Sequence, residues 1–147
     1  MQIREASPGD ETAIFDLIYA LAVYEKAPEQ VTNTPAQLRI DLFKDGICSA
    51  LVAEEDGQII GFSLYYISYS TWKGKCLYLE DFFVIPEKRK FGIGAQLFRK
   101  TVEKAKEMGV KRMDWQVLEW NQLALNFYNK QGATLDEEWV NGRLFFE

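Results

Sequence analysis

The chain has 147 residues, enough for one domain with a sizeable core, and its 48% hydrophobic, 14% aromatic and 27% charged residues suit a soluble globular protein. It contains no histidine, which excludes Ser-His-Asp and Cys-His machinery and histidine-ligated zinc. A net charge of −5 argues against general nucleic-acid binding and favours attraction of a small cation.

Proton transfer must therefore fall to carboxylates, tyrosine, lysine, cysteine or water. Cys48 and Cys76 form neither a metal nor a redox motif and read as core-facing thiols. No apolar run reaches membrane-spanning length, and the opening MQIREASPGDE has no signal-peptide pattern. The expectation is a cytoplasmic protein with no membrane or metal partner.

Residues 2–6 read as a first strand, and Ser7-Pro8-Gly9-Asp10 as turn and cap chemistry. A helix follows to about Ala22, with Ile14, Leu17, Ile18 and Leu21 on one face. The segment 24–29 breaks it and forms an acidic, aromatic loop around Tyr24, Glu25 and Glu29. Thr34-Pro35 has N-cap and N1 character for a second helix to about Phe43. Residues 49–54 and 58–68 alternate as strands joined at Asp56-Gly57, a hairpin signal. The second of these strands is rich in aromatics, and Trp72 stands in the polar turn after it. A tryptophan at a loop tip often lines a pocket.

The stretch 78–97, YLEDFFVIPEKRKFGIGAQL, organises the rest. An apolar run of strand character over 78–85 carries Glu80 and Asp81 in its middle. Pro86 stops it, the basic triplet Lys88, Arg89 and Lys90 follows, and Gly92 and Gly94 open a long amphipathic helix over 94–108. Backbone N–H groups converge at such a helix start, and the helix dipole adds positive potential, which suits a phosphate-bearing ligand. A G-x-G pair by itself also serves as a tight turn. No Gly-Lys-Ser/Thr follows, so a Walker loop is excluded, and Leu97 occupies the third glycine place of a dinucleotide fingerprint. Residues 113–118 read as another strand. Asn121 caps a helix to about Lys130, on which Asn121, Ala124 and Tyr128 share a face. Residues 134–138 and 143–146 have strand character.

The pattern Arg89-Lys90-Phe91-Gly92-Ile93-Gly94 resembles the pyrophosphate loop of the GNAT superfamily of acetyl-CoA-dependent N-acetyltransferases. Tyr24-Glu25, Tyr78-Leu79-Glu80-Asp81-Phe82-Phe83-Val84, Glu119-Trp120-Asn121 and Asn126-Phe127-Tyr128 resemble its spermidine/spermine and thialysine N-acetyltransferase branch. The resemblance implies one α/β (α+β) domain over 1–147. Its sheet would be mixed but mostly antiparallel, of about seven strands, with helices on both faces and a splayed V between two central strands. Phe82, Phe83 and Val84 would offer backbone groups to the acetyl and pantetheine arm. Arg89, Lys90, Phe91, Gly92, Ile93, Gly94 and Ala95 would hold the pyrophosphate of acetyl-CoA. Asn121 would bond the pantetheine and Tyr128 would face the sulfur. Tyr24, Glu25, Glu80 and Asp81 would line the amine site, with Trp72 near its mouth. Relatives pair as two-fold dimers, so a homodimer is expected. Lys90 departs from the glycine usual after the loop arginine, and Ala124 from a frequent serine.

Acetyl transfer to an amine needs a free amine, a stabilised oxyanion and a proton for the thiolate. A primary alkylamine has a pKa of about 10.4, so about one molecule in a thousand is free base at neutral pH. Glu80 is the first candidate to attract the ammonium and draw off its proton through water. Asp81 points to the opposite face of a straight strand, and both acids serve the amine only where a bulge begins early. An N–H near Phe83 freed by the bulge would meet the oxyanion. Tyr128 would protonate the thiolate. A cross-strand ion pair at Glu80 and a packing role for Tyr128 are the plainer alternatives. A non-catalytic acyl-CoA sensor and a protein lysine or N-terminal acetyltransferase are the rival functions, and the acceptor stays open among polyamine, thialysine and other lysine-like amines.

Overall fold

The computed structural model describes residues 1–146. Two compact units divide the chain, Met1–Gln116 and Val117–Glu147.

The first unit is built on a five-stranded sheet in the order β1-β2-β3-β4-β5. Its strands are β1 (Gln2–Glu5), β2 (Ser49–Glu55), β3 (Gln58–Ser70), β4 (Gly74–Val84) and β5 (Met113–Asp114). Neighbours run antiparallel except β4 and β5, which run parallel. Asp56 and Gly57 take positive φ (52° and 75°), the twist that a two-residue hairpin loop needs between right-handed strands.

Helix α1 (Glu11–Tyr24) and α2 (Pro35–Arg39) follow the first strand, and α2 runs on as a π-helical turn over Ile40–Lys44. Thr34 caps α2 by accepting from the Gln37 N–H at 3.1 Å. Asp10 precedes α1 without capping it through its side chain. Its carboxylate instead accepts from Arg4 at 2.7 Å and from the Ser7 N–H at 2.8 Å, which ties β1 to the turn. A bidentate guanidinium outcompetes a cap here.

Ile14, Leu17, Leu38 and Leu42 pack with Ala50, Val52, Phe62, Leu64 and Phe83 into one core layer. The opposite face carries α3 (Ile93–Glu107). There Phe82 meets Phe98 edge-on at 5.7 Å, and the buried Ser63 and Thr101 hydroxyls bond at 2.8 Å. Helices thus cover both faces, as expected. Cys76 is fully buried, and Cys48 packs against the first core layer.

Two strand expectations change. The strand expected over 113–118 shrinks to Met113–Asp114, which pairs only with Leu77 and Tyr78. Beyond Tyr78, β4 and β5 part, giving the expected splay. In the second unit, α4 (Gln122–Lys130) is capped by Asn121, whose side chain accepts from the Ala124 N–H at 3.2 Å. Residues 133–146 form neither helix nor strand, so among the described residues five strands stand where about seven were expected. Strand propensity is realised only where a partner takes up the backbone groups, and propensity cannot supply that partner.

Candidate functional site

The centre of β4 is irregular. Asp81 stands opposite Leu64 but Leu79 stands opposite Tyr65, so Glu80 is one residue too many for the ladder. This is a β-bulge, and it changes which face the acids share. Asp81 pairs with Leu64 and lies two residues before Phe83, both in the core layer beneath α1. Tyr66, two residues beyond Leu64, donates its hydroxyl to Glu80 Oε1 at 3.3 Å. Both carboxylates therefore serve the α1 side of the sheet. The bulge begins early enough to bring them together, which a straight strand would forbid.

Burial pushes the Asp81 carboxyl up to about 7, and the charges of Glu80 and Glu25 push in the same direction. Glu25, the residue that ends α1, is itself raised by burial. Tyr66 is pushed up to about 12, first by burial and then by the Glu80 charge and hydrogen bond. Its ring lies 5.4 Å from that of Tyr78. Three carboxyls and a tyrosine pair thus gather, an arrangement of negative charge and aromatic faces suited to receiving a cation. Tyr66 was absent from the sequence-predicted site residues. An aromatic strand beside an acidic one was the available signal, but the bulge decides which tyrosine meets Glu80.

The backbone groups of β4 have a defined direction. Ile85 donates its N–H to the Ile60 carbonyl at 2.9 Å. Hydrogen-bonding direction alternates along an antiparallel strand, so Phe83 also turns towards β3. Phe82 and Val84 turn their N–H groups to the side from which β5 has departed. Both flank Phe83, the neighbourhood in which the N–H for the oxyanion is expected. The register shift lies at Glu80, two or more residues earlier.

A 3-10 turn over Pro86–Phe91 carries the basic triplet to α3. Lys88 is held in an ion pair with Glu55, and Arg89 donates Nε–H to the Val84 carbonyl at 2.8 Å. Lys90 and Phe91 are exposed. Gly92 adopts φ 74°, a left-handed conformation that L side chains seldom enter, and α3 starts there without a side-chain cap. The first N–H groups of α3, through Ile93, Gly94 and Ala95, precede the first bond that returns to Gly92, from Gln96 at 3.1 Å. Open N–H groups at the positive end of a 15-residue helix fit an anionic group such as a pyrophosphate.

Trp72, expected near the mouth of the amine site, is 91% exposed at the tip of the β3–β4 hairpin. In the second unit, Asn121 and Tyr128 are both buried and stand seven residues apart, two turns of α4. The Tyr128 ring packs edge-on against Phe127 at 5.4 Å. A cavity of about 420 Å³ lies apart from the acids described above, between the start of α1 and the β2–β3 hairpin. Its Asp10 and Glu54 are already bound by Arg4, so we assign it no ligand.

Comparison with known proteins gives this geometry its context. The model of the acetyltransferase (GNAT) family matches residues 14–133, spanning both compact units. A thialysine N-epsilon-acetyltransferase of Bos taurus is 40% identical over 142 residues, covering 90% of this chain and 84% of its own. A spermidine/spermine N(1)-acetyltransferase-like protein 1 of Homo sapiens is 36% identical over 149 residues, covering 94% of this chain and 21% of its own. Among solved structures, an aminoglycoside acetyltransferase from an uncultured soil metagenomic sample superposes with a TM-score of 0.81 at 20% identity, over 99% of this chain and 96% of that one. The chain belongs to the acetyltransferase (GNAT) family and is an acetyl-CoA-dependent N-acetyltransferase.

Proposed function

We propose that the enzyme acetylates a primary amine of a small cationic acceptor, a polyamine or a lysine-like amino acid, by direct attack in a ternary complex. One observation carries the reading: the Glu80 bulge turns Glu80 and Asp81 to one face of the sheet, where Glu25 adds a third carboxyl. Thialysine and spermidine/spermine acceptors in the names of relatives point to the same class. The family match across both units supports treating them as one catalytic domain.

Acetyl-CoA supplies the activated acyl group. In this reading its pyrophosphate rests on the N-terminus of α3, with Lys90 adding charge. Glu80, Asp81 and Glu25 attract the ammonium group, and Glu80 takes up its proton through water so that the nitrogen lone pair becomes available. A backbone N–H of the 82–84 stretch serves as donor to the acyl oxygen. Asn121 bonds the pantetheine and Tyr128 returns a proton to the thiolate, roles that rest on the family resemblance. We further propose a homodimer acting in the cytoplasm, consistent with the exposed Ile67, Tyr69 and Trp72 on the β3–β4 hairpin. Among the described residues, no helix is long and apolar enough to cross a membrane.

Purified protein with acetyl-CoA should release thiol in the presence of thialysine, lysine, ornithine, putrescine or spermidine, and more slowly with a lysine-containing peptide. Binding of CoA without turnover on any amine would establish the sensor instead. A peptide preferred over every small amine would make it a protein acetyltransferase.

A further inference from the structure

We propose that Glu55 and Lys88 are positioning residues for the cofactor loop. Their ion pair latches the turn before α3 to the β2–β3 hairpin, and Lys88 is not itself a phosphate ligand. Lys88 opens the basic triplet, so its place in the sequence suggests an anionic partner outside the chain. The structure gives it Glu55 instead, 33 residues earlier. The two side chains are only 34% and 27% exposed, so the pair is partly withdrawn from the water that weakens surface ion pairs.

The turn needs such a tie because packing does not fix it: none of residues 86–91 is buried. At its entry the Ile85 N–H donates to the Ile60 carbonyl of β3 at 2.9 Å, and the Lys88 N–H donates to the Ile85 carbonyl at 3.0 Å. Arg89 reaches back to β4 at the Val84 carbonyl. The Lys88 ammonium crosses to Glu55 and so supplies the tie to β2. Glu55 pairs with Gln58 across the two-residue turn at Asp56-Gly57, which makes it a rigid anchor. Held to three strands, the turn has little room to swing, and its direction decides where the open N–H groups of α3 point. The charges agree with the geometry. Glu55 holds the Lys88 ammonium above its ordinary value, Lys88 holds the Glu55 carboxyl below its own, and Asp56 adds to the pull on Lys88. A lysine that faces two acids offers an approaching anion little net positive charge.

The effect on CoA rests on the cofactor placement proposed above, whereas the ion pair does not. The two roles open to Lys88 predict opposite signs, which calorimetric Kd values for CoA can read in the parent, Glu55→Gln, Lys88→Met and the double variant. Salt of about 0.15 M screens charge effects beyond about 8 Å. If the pair positions the loop, each single substitution should weaken CoA binding by about twofold to fivefold, the range of a partly exposed ion pair. The double variant should bind no more weakly than the weaker single, since one contact is broken only once. The loss should appear in the KM for acetyl-CoA and not in kcat at saturation. If Lys88 binds phosphate, Lys88→Met should weaken CoA binding while Glu55→Gln, by releasing the ammonium, tightens it, and that result would overturn the proposal. Unchanged affinity in both single variants would overturn it as well. Gly94→Val, which crowds the helix start itself, then tells two failures apart. If it also leaves CoA binding unmoved, the cofactor placement has failed with the latch. If it weakens CoA binding, the placement stands and the latch alone is refuted.

Discussion

The Tyr66 hydroxyl donates to the Glu80 carboxylate at 3.3 Å across the β3–β4 pair, although Tyr66 stands opposite Tyr78 in the ladder. The bulge slides Glu80 within reach of a tyrosine that a straight strand would give to another partner. Glu80 is exposed, so this bond orients the carboxylate more than it stabilises the fold.

Tyr66→Phe should therefore leave the unfolding midpoint nearly unchanged and raise the amine KM by about threefold, the effect of losing one long, solvent-exposed hydrogen bond. CoA affinity should not move. Steady-state kinetics with the amine varied at saturating acetyl-CoA would check this. A loss confined to kcat would place Tyr66 in proton transfer instead.

Asp81 makes stability and binding depend on pH. Its carboxyl is raised to about 7 in the folded protein, against about 3.9 in an unfolded chain. Between those values the folded state holds the extra proton, so this group's contribution is full below about pH 4 and is lost as pH rises through about 7. Asp81→Asn has no such dependence. Relative to the parent, it should gain about 1–3 kcal/mol in urea unfolding between pH 4 and pH 8. An ammonium group bound beside Asp81 favours its ionised form. Amine binding near pH 7 should thus release about half a proton per site, as read by calorimetry in buffers of different ionisation heat. Asp81→Asn should abolish that release.

Much of the framework was legible because its signals are local. Thr34 and Asn121 cap the helices they were expected to cap, and Asp56-Gly57 turns the hairpin, since each depends on only a few neighbouring residues. The bulge was legible in kind but not in place. Its position is a property of register between two strands, and nothing within YLEDFFV tells Glu80 from Phe83. Arg89 hides its ring contacts for a related reason. Its pattern announces a charge near a glycine loop, but the rings it stacks on come from α1 and β4. The segment 134–146 misled in the opposite direction. Its apolar residues suggest strands, yet Trp139, Val140 and Phe146 are exposed and no ladder forms there.

The start of α3 gives a test of the cofactor loop. Gly92 needs its left-handed φ of 74°, so substitution there would confuse strain with lost binding. Gly94 lies inside the first turn of the helix and is the better probe. A valine there costs the helix nothing in propensity, since glycine is the poorer helix former, but places a branched side chain beside the open N–H groups. Gly94→Val should keep the far-UV spectrum and weaken CoA binding by about tenfold or more, through loss of N–H contacts to an anion. An unchanged Kd would remove the pyrophosphate from this helix start.

Glu80 and Tyr128 are proposed to divide the proton traffic, and their substitutions should separate in pH as well as in rate. Glu80→Gln loses both the charge that draws in the ammonium and the acceptor for its proton. Its kcat/KM should fall most at neutral pH, by about a hundredfold or more for a positioned base. Raising the pH towards the amine's own pKa of about 10.4 should restore part of that loss, because free amine then arrives without help. Tyr128→Phe removes one hydroxyl and little packing volume, so CoA affinity should stay near that of the parent. A thiolate leaves readily even without an acid, so kcat should fall by about a hundredfold at most, the low end of what a general acid contributes. Its loss should not recover at high pH, since that shift supplies free amine and no proton donor. Full turnover in Tyr128→Phe would leave that residue only its packing on α4. A Glu80→Gln enzyme with an unchanged pH profile would move the base to water or to Asp81, whose raised carboxyl already titrates near neutrality.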